Sequence, residues 1–272
     1  MAFAGNVPDR IVAIGDLHAD LKATQDLFKH VGLINADGKW IAEDTVVVQT
    51  GDVTDRGPDG KNMLEWLRRQ QRSAQNHSSE LIILMGNHES MNIRGDWRYV
   101  SPKDIQSFGS LRERKAALQP QAEWGSWMAN LPTTAQVQDI IFVHGGISPQ
   151  YAAPSSSINE SVRKAHMGLG DRNILGSDGP LWYRDYLRAP ESDACPSLKL
   201  ALKKIGAKRM VVGHTTQRSG KIKMRCDGAI FGIDTGISSH YGKNLSALEF
   251  SGGLIKAIYL EKEEVLYKIP AR

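Results

Sequence analysis

Five short apolar runs in this chain each lead into a turn that carries aspartate, asparagine or histidine. Ile14 runs into Gly15-Asp16-Leu17-His18, and Val48 is soon followed by Gly51-Asp52-Val53-Thr54-Asp55-Arg56-Gly57. Gly86-Asn87-His88-Glu89 follows Leu84, His144-Gly145-Gly146 follows Val143, and Gly213-His214-Thr215 follows Val212. The metal-binding donors in these turns are Asp16, His18, Asp52, Asn87, His144 and His214. Imidazole and oxygen ligands without a thiolate suit manganese, iron, zinc or a mixed pair. Six protein ligands are too many for one catalytic ion that must keep a position open. They divide between two divalent ions if the Asp52 carboxylate bridges them. Asp16, His18 and Asp52 then hold one ion, and Asp52, Asn87, His144 and His214 the other. Two divalent ions against two carboxylates leave a charge of about +2, which complements a phosphomonoester dianion. Such a pair makes a bridging hydroxide available at neutral pH for attack on phosphorus. Arg56, beside the Asp52 turn, can grip two phosphate oxygens. His88, next to Asn87, is placed to protonate the leaving group, and Asp55 to orient its imidazole. His30, His77, His166 and His240 fall outside the pattern and read as surface or packing residues.

Positioning these groups requires strands that end together. The runs Ile11–Ile14, Val46–Val48, Leu81–Leu84, Ile140–Val143 and Met210–Val212 are short and mostly β-branched, which predicts strands buried on both faces. Leu21, Leu27, Phe28 and Val31 recur at helical spacing after Asp20, a natural N-cap. Met63, Leu64 and Leu67 do so after Pro58. Leu198, Leu202 and Ile205 line a further helix that Gly206 can end. Strand alternating with helix is the βαβ pattern of an α/β fold, and ligands collect at the C-terminal edge of such a sheet. Residues 89–135 read as helices and loops inserted between strands. Residues 148–200 read as a second insertion, loop-rich through Pro154 and the serines at 155–157. From Lys221 onward, alternating apolar residues predict an antiparallel meander. One domain spanning 1–272 is the economical organisation.

Composition excludes several classes. The 272 residues carry a net charge of +4, but lysine and arginine are scattered and no aromatic RNA-binding signature accompanies them, so no nucleic acid is expected. No apolar run approaches the roughly 20 residues that span a bilayer. No intact leader is present, although Ala2-Phe3-Ala4-Gly5 would fit the stub of a trimmed signal peptide, so cytoplasm and periplasm both stay open. Cys195 and Cys226 form no CxxC pair; they are two buried thiols or, in an exported chain, a disulfide.

In these five motifs the chain resembles the metallophosphoesterase superfamily and, within it, the phosphoprotein phosphatase family. Arg98-Tyr99-Val100-Ser101-Pro102, Gly179-Pro180-Leu181-Trp182-Tyr183-Arg184 and Asp234-Thr235-Gly236 resemble its Shewanella-like protein phosphatase branch. The resemblance implies a calcineurin-like α/β fold, a central β-sandwich flanked by helices in four αββα layers, with the dimetal site at the sheet edge. It implies the ligand, acid and clamp roles already given, and a second phosphate-binding arginine, for which Arg184 is the candidate and Arg98 the rival. The implied substrate is a phosphorylated protein or peptide, phosphotyrosine as well as phosphoserine or phosphothreonine; no regulatory subunit is apparent. The same site could instead hydrolyse a dinucleoside polyphosphate. A reading of another class is a non-catalytic metal-bound scaffold or a basic nucleic-acid-binding module. Two departures stand out. Ala19 occupies a position where the superfamily usually has glycine, which disfavours a left-handed turn there. The stretch 236–242 replaces a motif of the eukaryotic enzymes.

Overall fold

The computed structural model describes residues 8–270; the Ala2–Gly5 stretch lies outside them. β1 (Arg10–Ile14) and β2 (Thr45–Gln49) are buried, largely aliphatic strands that pair in parallel. Between them α1 (Leu21–His30) starts where the Asp20 side chain accepts the Ala23 N–H, and it buries Ala23, Thr24, Leu27 and Phe28. α2 (Gly60–Gln75) leads to β3 (Glu80–Ile83), again parallel to β2. The expected helical insertion follows as α3 (Asn87–Ile93), α4 (Pro102–Ser107), α5 (Leu111–Ala117) and α6 (Glu123–Ala129). β4 (Thr134–Val137) and β5 (Ile140–Val143) then form an antiparallel pair.

The second insertion corrects the loop-rich reading. Residues 155–166 form α7 (Ser155–His166), in which Ile158, Val162 and Ala165 make a buried stripe at helical spacing. The serines occupy its exposed or half-buried first turn, after Pro154. A 3₁₀ turn at Arg172–Leu175, α8 (Asp185–Arg188) and α9 (Glu191–Ile205) complete the segment. Gly206 ends α9 at φ 81°, the left-handed C-cap expected of it. β6 (Arg209–Val212) lies parallel to β5.

The predicted meander is only partly present. β7 (Lys223–Arg225) and β8 (Ile230–Gly232) pair with each other, and β8 runs parallel to β6. Only β9 (Ser246–Ser251), β10 (Leu254–Tyr259) and β11 (Glu263–Lys268) form the antiparallel set, which joins β1. The described residues accordingly form two sheets, in the orders β11-β10-β9-β1-β2-β3 and β4-β5-β6-β8-β7. Strand alternation explains the layering. Ile11, Ala13, Val46 and Val48 meet Phe142, Val211 and Phe231 between the sheets. Val12, Ile14 and Val47 on one sheet, and Ile141, Val143 and Val212 on the other, pack in the cluster that holds helix residues such as Leu27, Leu67 and Leu198. The β-sandwich with helical outer layers is therefore the calcineurin-like arrangement that the resemblance implied.

The cysteine question is also decided. Cys195 at the start of α9 and Cys226 after β7 are joined in a disulfide, with no free cysteine among the described residues. Closing a loop between positions 31 apart constrains the unfolded chain by about 3–4 kcal/mol in the loop-entropy model. Among the described residues no helix is long and apolar enough to cross a membrane.

Candidate active site

The strand ends from both sheets meet at one edge. β1 delivers Asp16 and His18, β2 delivers Asp52, and β3 delivers Asn87 at the start of α3; β5 and β6 deliver His144 and His214 from the other sheet. All six side chains are buried. Glycine before the donors gives room for close approach. A Cβ on Gly86 would lie 2.2 Å from the Asp52 amide nitrogen, and one on Gly213 would lie 2.3 Å from Asp16 Oδ1. The donors themselves also bend. His18, Asp52, Asp55, Arg56 and His214 all take φ between 44° and 67°. Ala19 does too, at φ 50°, so the left-handed turn survives without glycine. Its N–H is held by Val53 O at 2.9 Å and the Ala19 carbonyl accepts the Asp59 N–H at 2.9 Å. Each such residue costs on the order of 1 kcal/mol and persists because its surroundings over-determine it. Glu89 supplies much of that determination: its carboxylate accepts the N–H groups of Gly86, Asp52, Val53 and Thr54 and the Thr54 hydroxyl, at 2.7–3.1 Å.

The hydrogen bonds fix where lone pairs point. His144 Nδ1 is 2.9 Å from Thr50 O and His18 Nδ1 is 3.2 Å from Thr54 O. A carbonyl can only accept, so each Nδ1 carries the proton, and a ring with that one proton turns a bare Nε2 the other way. His144 Nε2 faces Asn87 Oδ1 at 2.8 Å and Asp52 Oδ1 at 3.3 Å. His18 Nε2 faces Asp52 Oδ2 at 3.8 Å and Asp16 Oδ2 at 3.9 Å. Acceptors therefore confront acceptors on both sides of Asp52. A cation held between them would resolve each confrontation. Burial also pushes His18 down to about 3 and His214 well below the usual imidazole range, so both rings stay neutral as ligands must. His214 Nε2 is buried with no hydrogen-bond partner. For Asp52, burial opposes ionisation, but positive charge placed on the surrounding imidazoles, His144 before His88 and His18, holds the carboxyl well below its ordinary value; bound divalent ions would supply that charge with the rings neutral. For Asp16 burial prevails, helped by Asp234 and Asp52, and raises it. The donor chemistry thus fits two divalent ions sharing Asp52.

The calcineurin-like phosphoesterase family model matches residues 9–218, which include all six donors. The chain belongs to that family. Shewanella-like protein phosphatase 1 of Plasmodium berghei is 34% identical, over 94% of this chain and 75% of its own. Shewanella-like protein phosphatase 2 of Arabidopsis thaliana is 33% identical, over 85% and 72%. The cold-active protein-tyrosine phosphatase of a psychrophilic Shewanella species superposes with a TM-score of 0.83 at 25% identity, over 95% of this chain and 80% of that one. The phosphoesterase therefore lies in the Shewanella-like branch, as the motifs suggested.

His88 also stands beside Asp52, its Nε2 3.8 Å from Asp52 Oδ2, so distance alone does not separate it from the six donors. Its Nδ1 does. That nitrogen binds Asp55 Oδ2 at 2.8 Å, a carboxylate where His18 and His144 have a carbonyl. Burial opposes charge on His88, but Asp52 and Asp55 outweigh it and raise its pKa, the reverse of His18. Arg56 and Arg184 both line a pocket of about 580 Å³ with the donors. Arg56 lies 4.0 Å over the Tyr99 ring. Arg184 donates to the His214 carbonyl. Arg98, the rival, is turned outward and paired with Asp96 at 2.6 Å.

Several residues around the site escape a reading of the motifs. Tyr99, Trp182 and Tyr241 wall the pocket, with Tyr241 4.9 Å from the His18 ring and Trp182 5.5 Å from the His214 ring. Asp234, buried beneath, accepts from the Thr216 hydroxyl at 2.6 Å and the Gly236 N–H at 3.1 Å. Asn92 and Arg114 close around Asp55. Of these, Tyr99, Trp182 and Asp234 sit in quoted motifs, Tyr241 in the 236–242 stretch, and Asn92 four residues after His88 on α3; Arg114 has no local signal at all. A larger groove of about 930 Å³ runs between edge strands β3 and β4, but none of the six donors lines it.

Proposed function

We propose that the chain hydrolyses phosphomonoesters on protein segments, using two divalent ions held by Asp16, His18, Asp52, Asn87, His144 and His214. The observation that carries this is the arrangement of bare imidazole nitrogens and carboxylate oxygens facing one another across Asp52. When bound, the ions activate water and neutralise phosphate charge. Arg56 and Arg184, which line the same pocket, grip the phosphate oxygens. His88, oriented by Asp55, turns Nε2 toward the pocket and gives a proton to the departing oxygen. Three imidazoles, two carboxylates and an amide without a thiolate suit manganese, iron or zinc; manganese is our choice, with iron or zinc as the other outcomes of elemental analysis.

A protein substrate is favoured over a dinucleotide by the kinship with protein phosphatases. Three aromatic walls can flank a phosphotyrosine ring. Arg188 and Arg218, exposed on the same rim, add positive charge beyond what one phosphate needs. A panel of phosphotyrosine, phosphoserine and phosphothreonine peptides, assayed beside diadenosine tetraphosphate, tests this. Peptides are expected to be cleaved preferentially, and those with flanking glutamates to show KM about 3–10-fold lower than alanine-flanked ones. Preferential cleavage of the dinucleotide would overturn the assignment.

The disulfide supports an oxidising compartment, the periplasm rather than the cytoplasm. Chain released from its cells with thiols blocked at once should carry no label on Cys195 or Cys226; full labelling returns it to the cytoplasm.

A further inference from the structure

Asp55 is fully buried, and its two oxygens are divided between two neighbours. Oδ2 accepts from His88 Nδ1 at 2.8 Å, and Oδ1 accepts from Arg114 Nη2 at 3.0 Å. The Asn92 side-chain amide lies across both oxygens, 3.0 Å from each. Arg114 comes from α5, in the first insertion, and is 1% exposed. Its guanidinium also donates to Asn92 Oδ1 at 2.8 Å and, through Nε, to Asp104 Oδ2 at 2.9 Å. Asp104, on α4, in turn packs against the first residue of α2, where a Cβ on Gly60 would come within 1.7 Å of its Oδ1. The inserted helices are tied to the same turn by Arg56 N–H to Tyr99 O at 3.1 Å and Ser101 Oγ to Gly57 O at 2.8 Å.

We propose that Arg114 is a positioning residue for leaving-group protonation, acting on His88 through Asp55; the proposal rests on the acid role given to His88 above. A planar guanidinium that meets Asp55, Asn92 and Asp104 at once leaves the Asp55 carboxylate one orientation. Oδ2, the oxygen that Arg114 does not take, then fixes the imidazole plane, and with it the direction of Nε2. Arg114 also sets a cation between two buried carboxylates, so Asp55 does not rely on His88 alone for compensation. The inserted segment thus completes the acid as well as walling the pocket. A merely structural ion pair would make a different prediction, because its loss would weaken every activity together.

The experiment is a double-mutant cycle between Arg114→Gln and His88→Ala, read on two aryl phosphates. One is phenyl phosphate, whose leaving group needs a proton; the other is 2,4-dinitrophenyl phosphate, whose leaving group does not. Arg114→Gln is expected to lower kcat on phenyl phosphate about 10–100-fold. On dinitrophenyl phosphate it should change kcat by no more than about threefold, with two metal ions per chain retained. In the His88→Ala background, adding Arg114→Gln should change kcat on phenyl phosphate less than about twofold. Should Arg114→Gln not fold, Arg114→Lys keeps the buried charge while losing the fork, and should show the same selective loss at smaller size. Equal losses on both esters, or full additivity with His88→Ala, would overturn the proposal. If His88→Ala alone fails to distinguish the two esters, the acid assignment itself falls and takes this proposal with it, an outcome separable from the other two.

Discussion

Asp52→Asn is expected to strip the site of metal and to lower turnover by at least about 10²–10³-fold. Asp52 is the side chain around which the others are arranged: Oδ1 faces His144 Nε2 at 3.3 Å, and Oδ2 faces His18 Nε2 at 3.8 Å. Asparagine keeps one oxygen and puts an N–H pair where the second stood. A positively polarised group then points at a cation position, and the charge that offsets the ions is lost. The fold should tolerate the change. Asp52 sits at φ 55°, a conformation asparagine adopts as readily as aspartate. Its Oδ1 also accepts the His88 N–H at 2.9 Å, a bond the remaining amide oxygen can keep. Elemental analysis of the variant, with thermal denaturation as the folding control, is the check. Two ions per chain together with near-normal turnover would sink the bridged pair.

His88→Ala is expected to cost about 10²–10⁴-fold on substrates with a poor leaving group and far less on activated esters. The argument is geometric. His88 is the one imidazole near Asp52 whose Nδ1 is held by a carboxylate, and its Nε2 opens on the pocket shared with Arg56 and Arg184. Its ring lies 5.1 Å from Tyr99, tilted by 40°, and meets His18 edge-on at 4.9 Å, so its plane has little freedom. Metal content should stay at the wild-type level, which separates this variant from Asp52→Asn. Loss of metal from the alanine variant would instead make His88 a ligand. A uniform rate loss across leaving groups, with metal retained, would remove the acid role.

Both predictions concern residues readable in the chain before any fold is known, and the reason is local. A strand buried on both faces is a β-branched run, and a ligand at its end needs a turn. Run and turn lie within a few residues of each other, as in Ile14-Gly15-Asp16-Leu17-His18. The helices α1, α2 and α9 were legible for the same reason, since 3.6-residue periodicity is a short-range property. α7 was missed because Pro154 and three serines dominate its first turn, although Ile158, Val162 and Ala165 already mark one face.

Periodicity records that a segment is buried; it does not record against what. The amino-acid sequence by itself determined the donor set, the oxygen-and-imidazole chemistry that follows, and the strand ends that carry it. Only the tertiary structure decided that β1, β2 and β3 stand in one sheet and β5 and β6 in the other, because partner choice depends on how two apolar faces fill one shared interior. It alone decided that Ala19 bends left-handed, under hydrogen bonds from the distant Asp52 turn, and that Cys195 meets Cys226. Arg114 is the extreme case: 59 residues separate it from Asp55, and a buried guanidinium between two carboxylates is specified by three-dimensional charge compensation alone.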